Sequence, residues 1–438
     1  MNIMKLKHIM WCGLICTLTF GDIKAQEVMT LEKCRELALK NNNSIAIAER
    51  NKAKAEYTQK SYLANFFPKI SASGNYLYTQ AEMNKSLSVS YLPEMDLSLK
   101  LNGTWMAGLQ ARQPIFSGGK IASGYRISQI GNEISRLNQH LTQTDVIVKT
   151  DEAYWMYVQT NALLEVALSY QKVVNELLRN VQNAQEVGLK HTNDVLKVKV
   201  KLNEAELQVR QAENGVNLSR KNLCHIIGLP LTTSITLPKP FNDSFSIHFE
   251  HTEDYTKRPE YAILEQQVKL KEQQIKLTRS DFLPQIGIMA NYGYINGLKM
   301  NDSKLLDNAS FSVIASVSVP IFQWGEGRNK VRAAKTERDI MQLQRNDMME
   351  MMELELSQAL DKCNESMLEV ELTSRSLQQA EENMRVSKDR YDVGMETLAN
   401  YLESQTVWQQ AWMEHINAQT RQQLNLTYYK KAVGLIRD

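Results

Sequence analysis

The amino-acid sequence predicts a mainly α-helical chain with a membrane β-barrel portion: duplicated long α-helical hairpins packed as a coiled-coil tunnel, and four β-strands per chain that contribute to a shared barrel. Three observations carry this expectation. The second half repeats the landmarks of the first at a constant step, since Pro114 and Pro320, Gly188 and Gly394, and Gly228 and Gly434 are each 206 residues apart (320 − 114 = 206). Four segments beside the repeated prolines alternate with period two, the mark of strands. Nearly everything else reads as helix, in proline-free runs far longer than globular helices.

At the amino terminus, Lys5 and Lys7 precede an apolar run from Ile9 to Phe20, and Ala25 stands before Gln26. That order of charge, apolar length and small residue is a secretory signal over residues 1–25. The run is too short to span a bilayer as a mature helix. Cys12 and Cys16 lie in or beside it without the small-residue pattern of a lipid-attached cysteine. Cys34, Cys224 and Cys363 remain, an odd number at wide spacings that suits neither a disulfide framework nor a metal site. They are expected as small buried hydrophobes. A net charge of +2 over 438 residues gives no reason to expect a nucleic acid or other polyanion as partner.

In chain order, residues 26–230 read as a first structural repeat of helix, β-hairpin and long helical hairpin. Residues 231–257, with Pro238 and Pro240, read as a connector, and 258–438 as the second repeat. Residues 30–63 and 260–282 form one leading helix in each repeat. In the first, Ile70, Ala72, Gly74, Tyr76 and Tyr78 alternate with small or polar residues, as do Trp105, Ala107, Leu109 and Ala111. The second repeat has Ile286, Ile288, Ala290, Tyr292 and Tyr294, then Phe311, Val313, Ala315, Val317 and Val319. Each segment is about ten residues, enough to cross a bilayer at a tilt. Long helices follow over 119–187 and 325–393, without strict heptads, and shorter arms return over 194–227 and 398–433. At 1.5 Å per residue the long helices extend roughly 100 Å, and the leading helices are expected to stack on the returning arms to match that length.

One face of each strand is apolar with aromatics toward its ends and the other is small and polar, the pattern of a membrane barrel with a wet interior. Four strands cannot close a barrel, which needs about eight even when side chains fill it. Lipid tolerates no open sheet edge, so other copies must complete the wall. Three give twelve strands, and four copies stay open on this argument.

The string Pro114 to Gly119 and its copy Pro320 to Gly325, Arg258-Pro259-Glu260, the turns Val187-Gly188-Leu189 and Tyr391-Asp392-Val393-Gly394, and Gly228-Leu229 and Gly434-Leu435 together resemble the TolC-like outer-membrane efflux proteins, over essentially the whole mature chain. The resemblance implies a homotrimer with a twelve-stranded barrel in outer-membrane lipid and a helical tunnel projecting into the periplasm. It further implies docking onto a periplasmic adaptor that links the tunnel to an inner-membrane pump. No cofactor or enzymatic activity is implied. Pro114, Phe116 and Gly119, with Pro320, Phe322 and Gly325, would form the strand-to-helix junctions. Gly188, Leu189, Gly394 and Met395 would form the helical turns and the adaptor contact.

A gate is expected at those turns. By similarity Tyr391 holds the second hairpin closed, two family aspartates fall at Asn400 and Glu403, and a position that often carries arginine is Glu396. Asp194 stands in the first copy where Asn400 stands in the second. In a closed ring such carboxylates would select for cations. The resemblance predicts that Tyr391→Phe combined with Glu396→Ala raises leak through the tunnel, by relaxing the hairpin Gly325 to Val433.

Other chemistry is weakly supported. Gly119-Lys120 lacks the surroundings of a phosphate loop. His248 and His251 in the connector make a poor metal site without further ligands, and Met348, Met349, Met351 and Met352 suit helix packing better than soft-metal handling. A periplasmic coiled-coil scaffold or adaptor that never inserts, and an exported enzyme, stay open as other readings. The cargo, and the choice between efflux and secretion, are not legible in the sequence.

Overall fold

The computed structural model describes residues 28–79, 81–87, 95–238, 254–300 and 303–436. The expected leader, with Cys12 and Cys16, and the part of the expected connector holding His248 and His251 lie outside the described residues.

Helix α1 (Leu31–Asn41) opens at Thr30, whose side chain accepts from the Lys33 amide. The single leading helix expected over 30–63 is instead two. Asn42 leaves helical geometry (φ −71°, ψ 130°), and its side chain caps helix α2 (Asn43–Leu63) by accepting from the Ser44 amide at 2.8 Å. Asparagine side chains compete with the helix for backbone partners, so a run of three is a natural break.

The long helices α3 (Lys120–Glu186) and α6 (Glu326–Asp392) have 67 residues each, and the returning arms α4 (Thr192–Ile226) and α7 (Leu398–Ala432) have 35 each. Gly119 and Gly325 cap the long helices in the left-handed region, at φ 86° and 81°, where a side chain would cost about 1–2 kcal/mol. Each arm spans about half the length of its long helix, and a leading helix takes over where it ends. Asn42 Nδ2 donates to the Ile226 carbonyl at the end of α4 at 2.8 Å. Gly434, after α7, lies against Lys257 and Arg258 at the start of helix α5 (Pro259–Ser280). Side by side the hairpins run in the order α4–α3–α7–α6, with α2 and α5 against α3, and α5 also against α6.

A tight seam holds this array. In α6 the buried positions Met352, Leu356, Ala359, Cys363 and Ser366 step by four and three, and Ala380, Ser387 and Tyr391 continue the same series. This is a kept heptad, contrary to the expectation from hydropathy, because small residues occupy many seam positions and let helices approach closely. Of the four methionines, Met352 enters the seam whereas Met348 and Met351 are exposed on the protomer. The hairpins meet through Tyr170, Val174, Leu177 and Val181 of α3, Val198 of α4 and Leu402 and Trp408 of α7. Nearer the sheet, Asp151 of α3 is fully buried: Arg35 Nε of α1 donates to its Oδ1 at 2.7 Å, and the Thr427 hydroxyl of α7 to its Oδ2 at 2.9 Å. Cys34, Cys224 and Cys363 are buried, and burial pushes the Cys34 thiol up to about 12 and the Cys363 thiol up to about 11.

The sheet comprises β1 (Lys69–Leu77), β2 (Ala81–Leu87), β3 (Met95–Ser117), β4 (Gln285–Met300) and β5 (Ser303–Ser318), all antiparallel. β1 and β2 pair in succession with the same side of β3, so the order is four strands wide: β1/β2, β3, β4, β5. The strands outrun the ten residues expected, with 23 in β3 and 16 each in β4 and β5, because beyond the apolar band the alternation that marks them in sequence disappears. Pairing slips at facing bulges, where Gly297 takes φ 108° and a Cβ would come within 2.6 Å of Thr104 Cα. Among the described residues no helix is long and apolar enough to cross a membrane.

Candidate functional site

Two regions could carry function, the far ends of the helical hairpins and the two faces of the sheet. At the hairpin ends α3 and α6 stop the same way. The Gly188 and Leu189 amides donate to the Gln185 and Ala184 carbonyls at 3.0 and 2.8 Å, and those of Gly394 and Met395 to Tyr391 and Arg390 at 3.1 and 2.8 Å. Gly188 and Gly394 take φ 78° and 75°, the left-handed stop that this pair of bonds requires. The residue after each glycine normally covers the helix end, yet Leu189 and Met395 are each 76% exposed. Both tips therefore present an apolar knob to solvent.

Tyr391 lies just behind the second knob. Its ring is buried, stacked on Tyr401 at 5.3 Å, and capped by the Lys190 ammonium 4.5 Å from the ring centroid. Its hydroxyl has no hydrogen-bond partner among the described residues. Burial first, and the charges of Asp194 and Asp392 second, hold that hydroxyl above its ordinary pKa, so it stays protonated. Lys190 belongs to the α3–α4 turn and Tyr391 to α6, so this contact joins the two hairpins of one chain at their ends.

The remaining predicted tip residues fall around it. Asp194 occupies the first turn of α4, favourable for an acid beside the helix dipole. Glu396 is half-buried in the α6–α7 turn. Asn400 donates its amide to Thr397 Oγ1 at 3.2 Å, which caps α7. Asn400 and Glu403 are exposed one turn apart on the same face of α7. Sequence reading missed Lys190 and Tyr401. A signal for the first was present, because Lys190 and Glu396 occupy the same place in the two repeats with opposite charge.

At the other end of the long helices, Pro114 lies within β3, where the register with β4 slips between Pro114 and Phe116, and the helix starts after Gly119. Pro320 follows the end of β5, and Phe322 packs edge-on to Trp324 at 4.9 Å on the way to Gly325. Register assigns the two sheet faces. Ile70, Ala72 and Tyr76 share one face with Ala111, Leu109 and Trp105 of β3, Ile288, Ala290 and Tyr292 of β4, and Val313 and Phe311 of β5. The opposite face carries Ser71, Ser73, Gln110, Asn291, Ser312 and Ser310, with Gln110 Nε2 donating to Asn291 Oδ1 at 3.2 Å. Phe66, Phe67, Phe116 and Phe322 are exposed at the helix end of the sheet, and Tyr76 and Trp105 at the far end. Ten residue steps of β4, from Ile286 opposite Phe116 to Asn296 opposite Trp105, separate these bands, about 34 Å of strand, which at a tilt of about 40° matches the apolar belt of a membrane strand, about 25 Å tall. Among the described residues both edges, β1/β2 and β5, are unpaired in the protomer.

Residues 34–229 and 256–435 match the sequence family described as outer membrane efflux protein. The alkaline protease secretion protein AprF of Pseudomonas aeruginosa is 24% identical over 242 residues, 53% of this chain and 49% of its own, so the chain spans about half the length of the curated relative it matches. Among solved structures, the CmeC outer membrane channel of Campylobacter jejuni superposes with a TM-score of 0.77, covering 92% of this chain and 85% of that one at 20% identity. The outer membrane protein VceC of Vibrio cholerae gives 0.75, with 92% and 96% covered at 15% identity. The open state of the MtrE channel of Neisseria gonorrhoeae gives 0.74, with 92% and 88% covered at 18% identity. At such identities the structural likeness is one of fold.

Proposed function

This chain belongs to the outer membrane efflux protein family, and we propose that three copies form an outer-membrane channel that serves as the exit duct of a tripartite efflux or secretion system. One observation carries the reading: a sheet with one apolar and one polar face ends in two unpaired edges. Such edges have no stable state in lipid until β5 of one copy pairs with β1/β2 of the next. Three copies give a twelve-stranded barrel with the serine and asparagine face around water, and the helical hairpins prolong it into a periplasmic tunnel. The duct is passive and needs no catalytic group. Energy comes from an inner-membrane pump, coupled through a periplasmic adaptor that meets the exposed tips at Leu189 and Met395.

Closure is assigned to the same tips. Tyr391, held between Tyr401 and Lys190, ties the second hairpin to the first, and Asp194, Glu396, Asn400 and Glu403 surround the opening. Adaptor binding biases a two-state release of that hairpin. Electron microscopy of detergent-extracted protein without imposed symmetry tests the assembly. Threefold particles with a detergent belt at one end and a tunnel of roughly 100 Å support it. Unbelted rods extracted without detergent would replace it with a periplasmic scaffold.

A further inference from the structure

Among the described side chains, the polar face of the sheet is uncharged with one exception. Among the described side chains of the five strands, Lys69 and Arg112 are the only charged ones, and register sets them directly opposite each other on β1 and β3. Both belong to the polar face, in line with Ser71 and Gln110. Like charges directly opposed across a ladder destabilise it, and neither has an ion-pair partner among the described residues. Across β3, Arg112 faces Met289, not an acid. The nearby Lys120 differs, since Asp281 neutralises it at 2.7 Å. Beneath the pair lies a cavity of about 590 Å³ lined by both side chains together with Tyr62, Lys120 and Gln274. The two unneutralised cations thus face open space at the mouth where the sheet meets the helices.

We infer that Lys69 and Arg112 form an anion-binding collar inside the duct, and that it favours polyvalent anionic solutes such as phosphate-bearing or polycarboxylate cargo. The inference rests on the proposed trimer, which repeats the pair three times around one axis. A ring of cations set in a low-dielectric wall concentrates its field across the opening, and lysine or arginine rings are how pores select anions. It also accounts for the opposed pairs: a repulsion with no local compensation is relieved in all three at once by a single polyvalent anion held on the shared axis.

Calorimetric titration of the purified detergent-solubilised protein with inorganic pyrophosphate at low salt tests the collar without requiring the tips to open. The expected result is saturable binding at one pyrophosphate per three chains, weakened at least tenfold in K69Q/R112Q and retained in K69R/R112K. Absence of binding to the natural protein, one anion per chain, or undiminished binding to K69Q/R112Q would overturn the collar. Should the double variant fail to assemble, K69Q alone is expected to give an intermediate loss, and undiminished binding to it overturns the collar equally. Particle symmetry in electron microscopy is read on the same samples. Threefold particles that bind no anion refute only the collar, whereas the lack of threefold particles refutes the duct itself.

Discussion

Replacing Lys190 by methionine removes one ammonium from the face of a buried tyrosine while keeping an unbranched chain of similar length. At 4.5 Å from the Tyr391 centroid, the ammonium contributes about 0.5–1 kcal/mol at a partly exposed site. In the proposed trimer the contact occurs three times, so a transition that releases all three hairpins together loses about 1.5–3 kcal/mol of closing free energy, roughly a 10- to 150-fold rise in the opening equilibrium. Single-channel recording in planar bilayers reads this as open probability, and entry of vancomycin into cells reads it as leak. Tyr391→Phe is the decisive control. The Tyr391 hydroxyl has no partner among the described residues, so phenylalanine keeps the stack on Tyr401 and the seat for Lys190, and leak is expected to stay near the natural level. The resemblance expects a rise in leak from Tyr391→Phe combined with Glu396→Ala; the contacts within the protomer favour the proposal that the ring, not the hydroxyl, is the latch. A Lys190→Met channel as closed as the natural one, or a Tyr391→Phe channel as leaky as Lys190→Met, would refute this assignment.

Asp151→Asn leaves Arg35 without its buried counter-charge; because Arg35 is partly solvated, a loss at the lower end for a broken buried pair, about 3 kcal/mol, is expected, seen as a fall in the temperature at which the assembled protein denatures. Glycine replacements should act in opposite directions. Gly394→Ala forces alanine into a left-handed turn at φ 75° and costs about 1–2 kcal/mol, whereas Gly131→Ala, in open space within α3, stabilises by about 0.5–1 kcal/mol, both measurable by thermal unfolding. His415 of α7 is held below its ordinary pKa of 6.5 by burial, so the unfolded chain binds its proton more readily than the folded one. Its contribution to stability is complete above pH 6.5 and is lost as pH falls toward the lowered folded value; the slope of stability against pH in that range should flatten in His415→Gln.

Much of the fold is local, and local features are written in the residues. Gly119, Gly188, Gly228 and Gly325, Gly394, Gly434 all adopt positive φ, so the helix limits could be read from glycine alone, and the 206-residue step carried each limit from one repeat to the other. Period two located the strands wherever one side met lipid and the other water. It failed past that band, which is why β3 and β5 are longer than their alternation. The seam of α6 escaped hydropathy because alanine, serine and cysteine fill positions that leucine usually marks. The break at Asn42 was hidden inside a helical run whose continuation depends on where α4 ends in space.

By itself, then, the sequence determined what depends on one stretch of backbone: the stops and caps, the strand faces, the duplication and, through its motifs, the family. The tertiary structure decided which distant groups meet. Lys190 reaches the Tyr391 ring only because α3 and α6 have equal lengths and end level, and Lys69 faces Arg112 only because β1 pairs with β3 in one register among several. Backbone preference is set over a few neighbouring residues, whereas register and helix alignment minimise the energy of the whole packed array. The partners at the proposed latch and the proposed collar therefore became visible only in three dimensions.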